Sequence, residues 1–109
     1  MSELYDFLVM IPDVPGKQEE RQSGEKAHIA HLKDLVQNGV VVMSGPTLRQ
    51  HPSDKQEPLE INGSSVLVRA SSEEEVRVHI SEDIYAQSGV WDIGRLTITP
   101  IKCVVRKPL

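Results

Sequence analysis

Two stretches of this chain repeat one plan: an apolar run, a helix-patterned segment and a second apolar run. The first covers about residues 4–46 and the second about residues 63–105. In the first half, Leu4 to Ile11 is apolar and aromatic with Asp6 as its only charge, which reads as a strand buried on both faces or nearly so. Pro12, Pro15 and Gly16 end it. The segment from Gly16 to Gln22 is charged and can begin a helix. The clearer helix runs from about Ser23 to Asn38, with Ser23 as N-cap and Lys26 where a capping box would hold Glu. Ile29, Leu32, Leu35 and Val36 form its apolar stripe, and Asn38-Gly39 stops it. Val40 to Ser44 reads as a buried strand that Gly45-Pro46 breaks. Thr47 to Asn62 is polar, carries two prolines and reads as a loop of about 15 residues.

The second half repeats the plan. Ser64 to Ala70 is the third strand. Ser71 or Ser72 caps a helix whose first turn holds Glu73, Glu74 and Glu75, which suits the helix dipole. That helix carries Val76, Val78 and Ile80 and breaks near Asp83. Ile84 to Val90 is a short connection with Gly89 as its turn, and Trp91 to Val105 holds the last strand through Ile93, Leu96, Ile98 and Ile101. The order strand, helix, strand, strand, helix, strand is the split βαβ plan of ferredoxin-like α+β domains, an antiparallel sheet with helices on one face. Such a sheet must cover its other face, and no segment remains to do so. A sheet from a second copy is the natural cover, so the expectation is a homodimer.

A chain of 109 residues fits one domain, 1–109, with a modest core. Aromatics are 4% of residues, so the core rests on Val, Ile and Leu, and further burial against a partner would help it. The net charge of -4 and scattered basic residues argue against nucleic acid and against anionic membranes. No stretch approaches the length of a membrane span, and the first residues lack the basic start of a secretory signal, so a cytoplasmic location is expected. The single cysteine, Cys103, excludes an internal disulfide and a four-cysteine zinc site. Its setting, Ile101 to Val105, reads as a buried strand.

Several short motifs follow one another in a familiar order. Ala27-His28-Ile29-Ala30-His31-Leu32, then the strand ending Ser44-Gly45-Pro46, then Gly63-Ser64, then Asp83-Ile84-Tyr85-Ala86-Gln87-Ser88-Gly89-Val90-Trp91, and finally Ile98, Pro100 and Lys102, together resemble the YCII-related family. The likeness covers most of the chain apart from the loop 47–62. It implies a dimeric α+β barrel and a site built from a first-helix histidine and an aspartate near the end of the second helix, here His28 and Asp83. It also places Arg21 where many members hold a basic residue, and Tyr85 as the aromatic after the aspartate. Ile84 stands where the family has proline, and Glu25 where it usually has arginine.

The chemistry of these residues admits two readings. His28 lies on or beside the apolar stripe and can be a core histidine with a hydrogen-bonded partner, or a proton carrier suited to neutral pH. Asp83 can orient its ring, or close a helix end. Arg21 can hold a carboxylate or phenolate in two hydrogen bonds, or be a solvated member of the run 17–21. Ser44, Tyr85 and Trp91 are candidates to contact a ligand. A metal on His28 and His31 needs a third ligand, and none is obvious. His31 is expected at the surface, His51 in the loop and His79 on the outer face of the second helix. No nucleophile elbow, phosphate loop or dinucleotide fingerprint is present. The first expectation is therefore a cofactor-free acid–base enzyme of isomerase, lyase or cyclase type on a small cyclic or aromatic compound. The second is a non-catalytic dimeric module that binds a small ligand or serves as an accessory.

Overall fold

The computed structural model describes residues 3–107. Its elements are β1 (Tyr5–Pro12), α1 (Gln18–Gln37), β2 (Val41–Leu48), β3 (Ile61–Ala70), α2 (Glu73–Ser81), the single turn α3 (Ile84–Gln87) and β4 (Thr97–Ile101), with a 3-10 turn at Ile93–Arg95 before β4. The sheet order is β2-β3-β1-β4 and every pairing is antiparallel. This is the expected ferredoxin-like α+β fold.

Strand alternation sets what each face does. In β1, Phe7, Val9 and Ile11 point one way and are buried. Their partners in β3 are Val68, Val66 and Ser64. With Val41, Ala70, Val76, Ile80, Tyr85, Val90 and Trp91 they make one core between sheet and helices. The start of α2 and the end of α1 follow local sequence signals. Ser72 Oγ accepts the Glu75 N–H at the start of α2. Gly39 takes φ 74 after α1, a left-handed turn that favours glycine.

Six expectations are corrected. Helix α1 starts at Gln18, so Ser23 is not its cap but lies inside it, donating its hydroxyl to the Glu20 carbonyl. Its inward row is His28, Leu32 and Leu35, at spacings of four and three, while Ile29 and Val36 are exposed. His28 is thus the one buried residue of a 20-residue helix. Strand β2 runs through Gly45-Pro46 to Leu48. It is an edge strand, so a proline can lack its N–H on the open side. The loop that follows is closed at its base, where Arg49 N–H donates to the Glu60 carbonyl and the Arg49 guanidinium grips the Glu60 carboxylate with both hydrogen bonds at 2.9 Å.

The other three corrections concern the chain from α2 onward. The last strand is short. Trp91 forms only a bridge to Asp13, and its backbone is drawn back towards Tyr85 rather than into the sheet. Cys103 lies beyond β4 and is half-buried, with its N–H on Asp6 Oδ2. His79 is half-buried rather than on an outer face, and its Nδ1 is enclosed without a partner among the described residues. No helix among the described residues is long and apolar enough to cross a membrane.

Candidate active site

Asp83 follows α2 and caps α3: its Oδ1 accepts the Tyr85 N–H at 2.9 Å. The short turn between the two helices fixes it against α1, where it meets His28 and, one turn on, His31. His28 Nδ1 lies 2.9 and 2.8 Å from the two carboxylate oxygens, and His31 Nδ1 lies 3.1 Å from Oδ2. Asp83 is 2% exposed. Burial alone would raise its pKa, but the hydrogen bonds from His28, the Tyr85 N–H and His31, with the charge of His28, outweigh it and hold the carboxyl below the ordinary range. An ionised carboxylate only accepts, so both imidazoles donate Nδ1–H to it. Each ring keeps Nε2 as its free nitrogen.

Aromatic rings fix the plane of His28. Tyr85 stacks on it at 4.1 Å between centroids and 21° between planes, and Trp91 meets it edge-on at 5.7 Å and 90°. Gly24 makes room for this stack, since a Cβ there would sit 3.2 Å from Tyr85 Cε1. The Tyr85 hydroxyl donates to the Arg21 carbonyl. Burial pushes its phenol up, against the pull of Arg21.

His28 opens on a cleft of about 550 Å3 between α1 and the β2–β3 hairpin, walled by Arg21, Glu25, Leu32, Ser44, Pro58, Leu59, Ser64 and Tyr85, among others. Its Nε2 has no partner among the described residues and is not fully enclosed, and the residue itself lines the cleft. Arg21 stands at the same cleft and is not a solvated member of a charge run. Its Nε and Nη2 grip Asp13 at 2.8 and 3.1 Å, and Nη2 also reaches the Gly63 carbonyl and Ser64 Oγ. The guanidinium carbon lies 4.7 Å from the Tyr85 ring centre. Nη1 has no partner among the described residues. Ser44 lines the cleft and donates its hydroxyl to the Ser65 carbonyl, which leaves its oxygen lone pairs for another donor.

Trp91 sits apart from the other candidates. It is buried behind His28 and donates its indole N–H to Ser64 Oγ at 3.0 Å, so it supports the site and does not line the cleft. Three participants escape a reading of the sequence. His31 was signalled only by its spacing of three from His28. Asp13, among the prolines after β1, and Ser64, inside β3, carry no signal in the linear chain. Among the described residues no group of three or more His, Cys, Asp or Glu has the arrangement to hold a metal ion.

A ferredoxin-like α+β domain with a carboxylate-bound histidine facing a cleft defines the class. The chain belongs to the YCII-related family, whose domain pattern matches residues 6–100. It is 43% identical over 101 residues to "Fusaric acid biosynthesis protein 2" of Gibberella moniliformis, covering 93% of this chain and 96% of that one. It is 44% identical over 89 residues to "Derivative of benzaldehyde biosynthesis cluster protein C" of Emericella nidulans, covering 82% of this chain and 91% of that one. Among solved structures it is similar to the 5-chloro-2-hydroxyhydroquinone dehydrochlorinase of Burkholderia phenoliruptrix in complex with 2,5-dihydroxybenzoquinone. The TM-score is 0.74 and the identity 25%, over 89% of this chain and 93% of that one.

Proposed function

We propose that this chain is a cofactor-free acid–base enzyme acting on a small oxygenated ring compound, working as a homodimer. The observation that carries the reading is His28: Nδ1–H is committed to Asp83, and the residue lines a ring-sized cleft with Nε2 unpartnered among the described residues. A proton taken from the substrate goes to Nε2, and the imidazolium so formed sits on an anionic partner. Arg21 Nη1 offers N–H donors to a phenolate or carboxylate oxygen on the ring, and its other nitrogens hold it in place. Ser44 accepts from a ring hydroxyl. Tyr85 and Trp91 keep the imidazole plane fixed. A leaving hydroxyl that takes the proton back from Nε2 departs as water, and a halide departs as the free anion, so either loss is an elimination; returning the proton to another ring atom gives isomerisation.

The similar dehydrochlorinase, by its name, acts on a chlorinated hydroxyhydroquinone, which supports an oxygenated ring as the substrate class. The similar proteins named for fusaric acid and benzaldehyde-derivative biosynthesis support small aromatic compounds. The test is His28→Ala, assayed against a panel of hydroxylated quinones and hydroxybenzaldehydes. The variant should fold as the wild type does and lose about 10²–10⁴ in turnover. A variant that turns over substrate as well as wild type would overturn the reading. So would a panel that is inert with wild type, combined with a His28→Ala variant weakened by a few kcal/mol, on the order expected of a structural core pair.

A further inference from the structure

We propose that the ring compound carries an acidic arm, a carboxylate a few bonds from the ring, which Lys17 and Arg49 hold in a second cavity that continues the cleft at His28. That cavity measures about 610 Å3. It shares Arg21 and Gln22 of α1 with the cleft on one side, and Leu59 and Ile61 on the other, so the two are ends of one trough. Lys17, Arg21 and His28 follow one another at spacings of four and seven, which puts them along one face of the helix. At about 1.5 Å per residue, Lys17 stands about 16 Å from His28 along the axis and about 6 Å beyond Arg21. A ring at His28 with one oxygen on Arg21 leaves the outer end unfilled. Either cavity alone has the size of a site for a drug-sized ligand, roughly 300–1,000 Å3, which one bare ring does not occupy.

The two ends differ in chemistry. Leu32, Pro58 and Tyr85 give the inner cleft apolar walls, which suit a ring. The outer cavity adds Lys17, Arg49 and the amides of Gln18 and Asn62, together with two carboxylates, Asp13 and Glu60. Both carboxylates are already matched, Asp13 by Arg21 and Glu60 by Arg49. Arg49 spends only Nη2 on its pair, so it has N–H donors left for a second anion. The acid paired with Lys17 is Glu20, which lies outside the cavity at 3.6 Å, with both side chains more than a third exposed. A pair so loose and wet is worth little, and Lys17 can turn to a carboxylate in the cavity instead. Glu25 stands in the inner cleft and opposes a further anion there, which favours the acid at the outer end. The span from Arg21 to Lys17 sets the arm at about three to five bonds. This assignment rests on the ring occupying the cleft at His28, as in the proposed function, but not on its being turned over.

The test is a series of 2,5-dihydroxyphenyl alkanoic acids, from 2,5-dihydroxybenzoic acid upward by one methylene at a time, with hydroquinone and the methyl ester of each acid. Calorimetric titration under anaerobic conditions reads binding without any need for turnover. The ratio of ester to acid Kd should peak at the predicted arm length, at about tenfold, the scale of one charge-assisted contact. It should shrink as salt is raised. In Lys17→Glu, with a native circular dichroism spectrum, that peak should vanish, and the change should be confined to the longer arms. A series in which no armed acid binds more tightly than hydroquinone and its own ester would overturn the proposal. So would a preference for the armed acid that survives Lys17→Glu. An armed acid that binds through Lys17 and is never turned over would sink the enzyme reading and keep this one. Turnover that depends on His28 and ignores the arm would do the reverse.

Discussion

An amide at position 83 would present one acceptor oxygen where the carboxylate presents two. Asp83 takes three donors, the two imidazole N–H groups and the Tyr85 N–H, and Asp83→Asn would leave one of them without an acceptor. His28 could then turn its other tautomer to the cleft. Turnover should fall by about four orders of magnitude, the scale seen when the orienting carboxylate of such a pair is lost. Stability should fall by on the order of 1–3 kcal/mol near neutral pH, the usual penalty for an unmet buried partner. The pH dependence of that difference follows from its sign. The folded-state pKa of Asp83 lies below its ordinary value. Its contribution is therefore present above about pH 4 and is lost as pH falls through the folded value. Urea unfolding at neutral pH should separate wild type from Asp83→Asn, and the gap should narrow as pH falls through the folded-state value. Arg21→Lys probes the other end of the cleft. It keeps a charge but not the fork that grips Asp13, so binding of an anionic ring compound should weaken while circular dichroism stays native.

The elements were legible where local chemistry decides them. The position of β1, the cap of α2 at Ser72 and the turn at Gly39 rest on residues close in sequence and agree with the structure, although β1 is buried on one face only in the single chain, not on both as expected. Legibility failed where a distant partner decides. Gly45-Pro46 continues β2 because it lies on an open edge, which only the sheet order reveals. Trp91 leaves the strand pattern because Tyr85 and Asp13 hold it. His28 and Asp83 came from a resemblance to a known family, and their spacing of 55 residues offers no local signal. Gly63 shows the same dependence on distant parts. A Cβ there would lie 2.5 Å from the Ile11 carbonyl oxygen and 2.8 Å from Thr47 Oγ1, both on neighbouring strands. Gly63→Ala should cost about 1–3 kcal/mol by forced overpacking and should disturb Arg21, which donates to the same residue's carbonyl. Ser72→Ala should cost about 1 kcal/mol through its lost cap and leave the cleft unchanged. Thermal melts of the two variants, with ligand binding alongside, distinguish these effects.

At the scale of the whole molecule, the sheet has one face under the helices and one without cover in a single chain. The uncovered face is set by alternation: Asp6, Leu8 and Met10 of β1 point away from the core, opposite Arg69, Leu67 and Ser65 of β3. Met43 of β2 pairs with Leu67, and Ile101 of β4 pairs with Asp6. Leu8, Met10, Met43, Leu67 and Ile101 thus form an apolar row, with Met43 half exposed. Beyond β4 the chain continues through Val104 and Val105, both more than four-fifths exposed. A row of this kind on a small domain marks an interface. The proposed homodimer would bury it against its own copy, since a two-fold contact presents the same patch twice. Met10 and Met43 are exposed in the single chain, so charging them should spare the fold and strike only the association. Sedimentation should find the wild type at twice the chain mass of 12.2 kDa and Met10→Asp/Met43→Asp at the chain mass, with an unchanged circular dichroism spectrum. A wild type that sediments at the chain mass at all accessible concentrations would refute the dimer. The cleft at His28 lies on the helix side of the sheet. A monomeric variant that still binds a ring compound would therefore show that the site is complete within one chain, whereas loss of binding together with association would mean the partner shapes it.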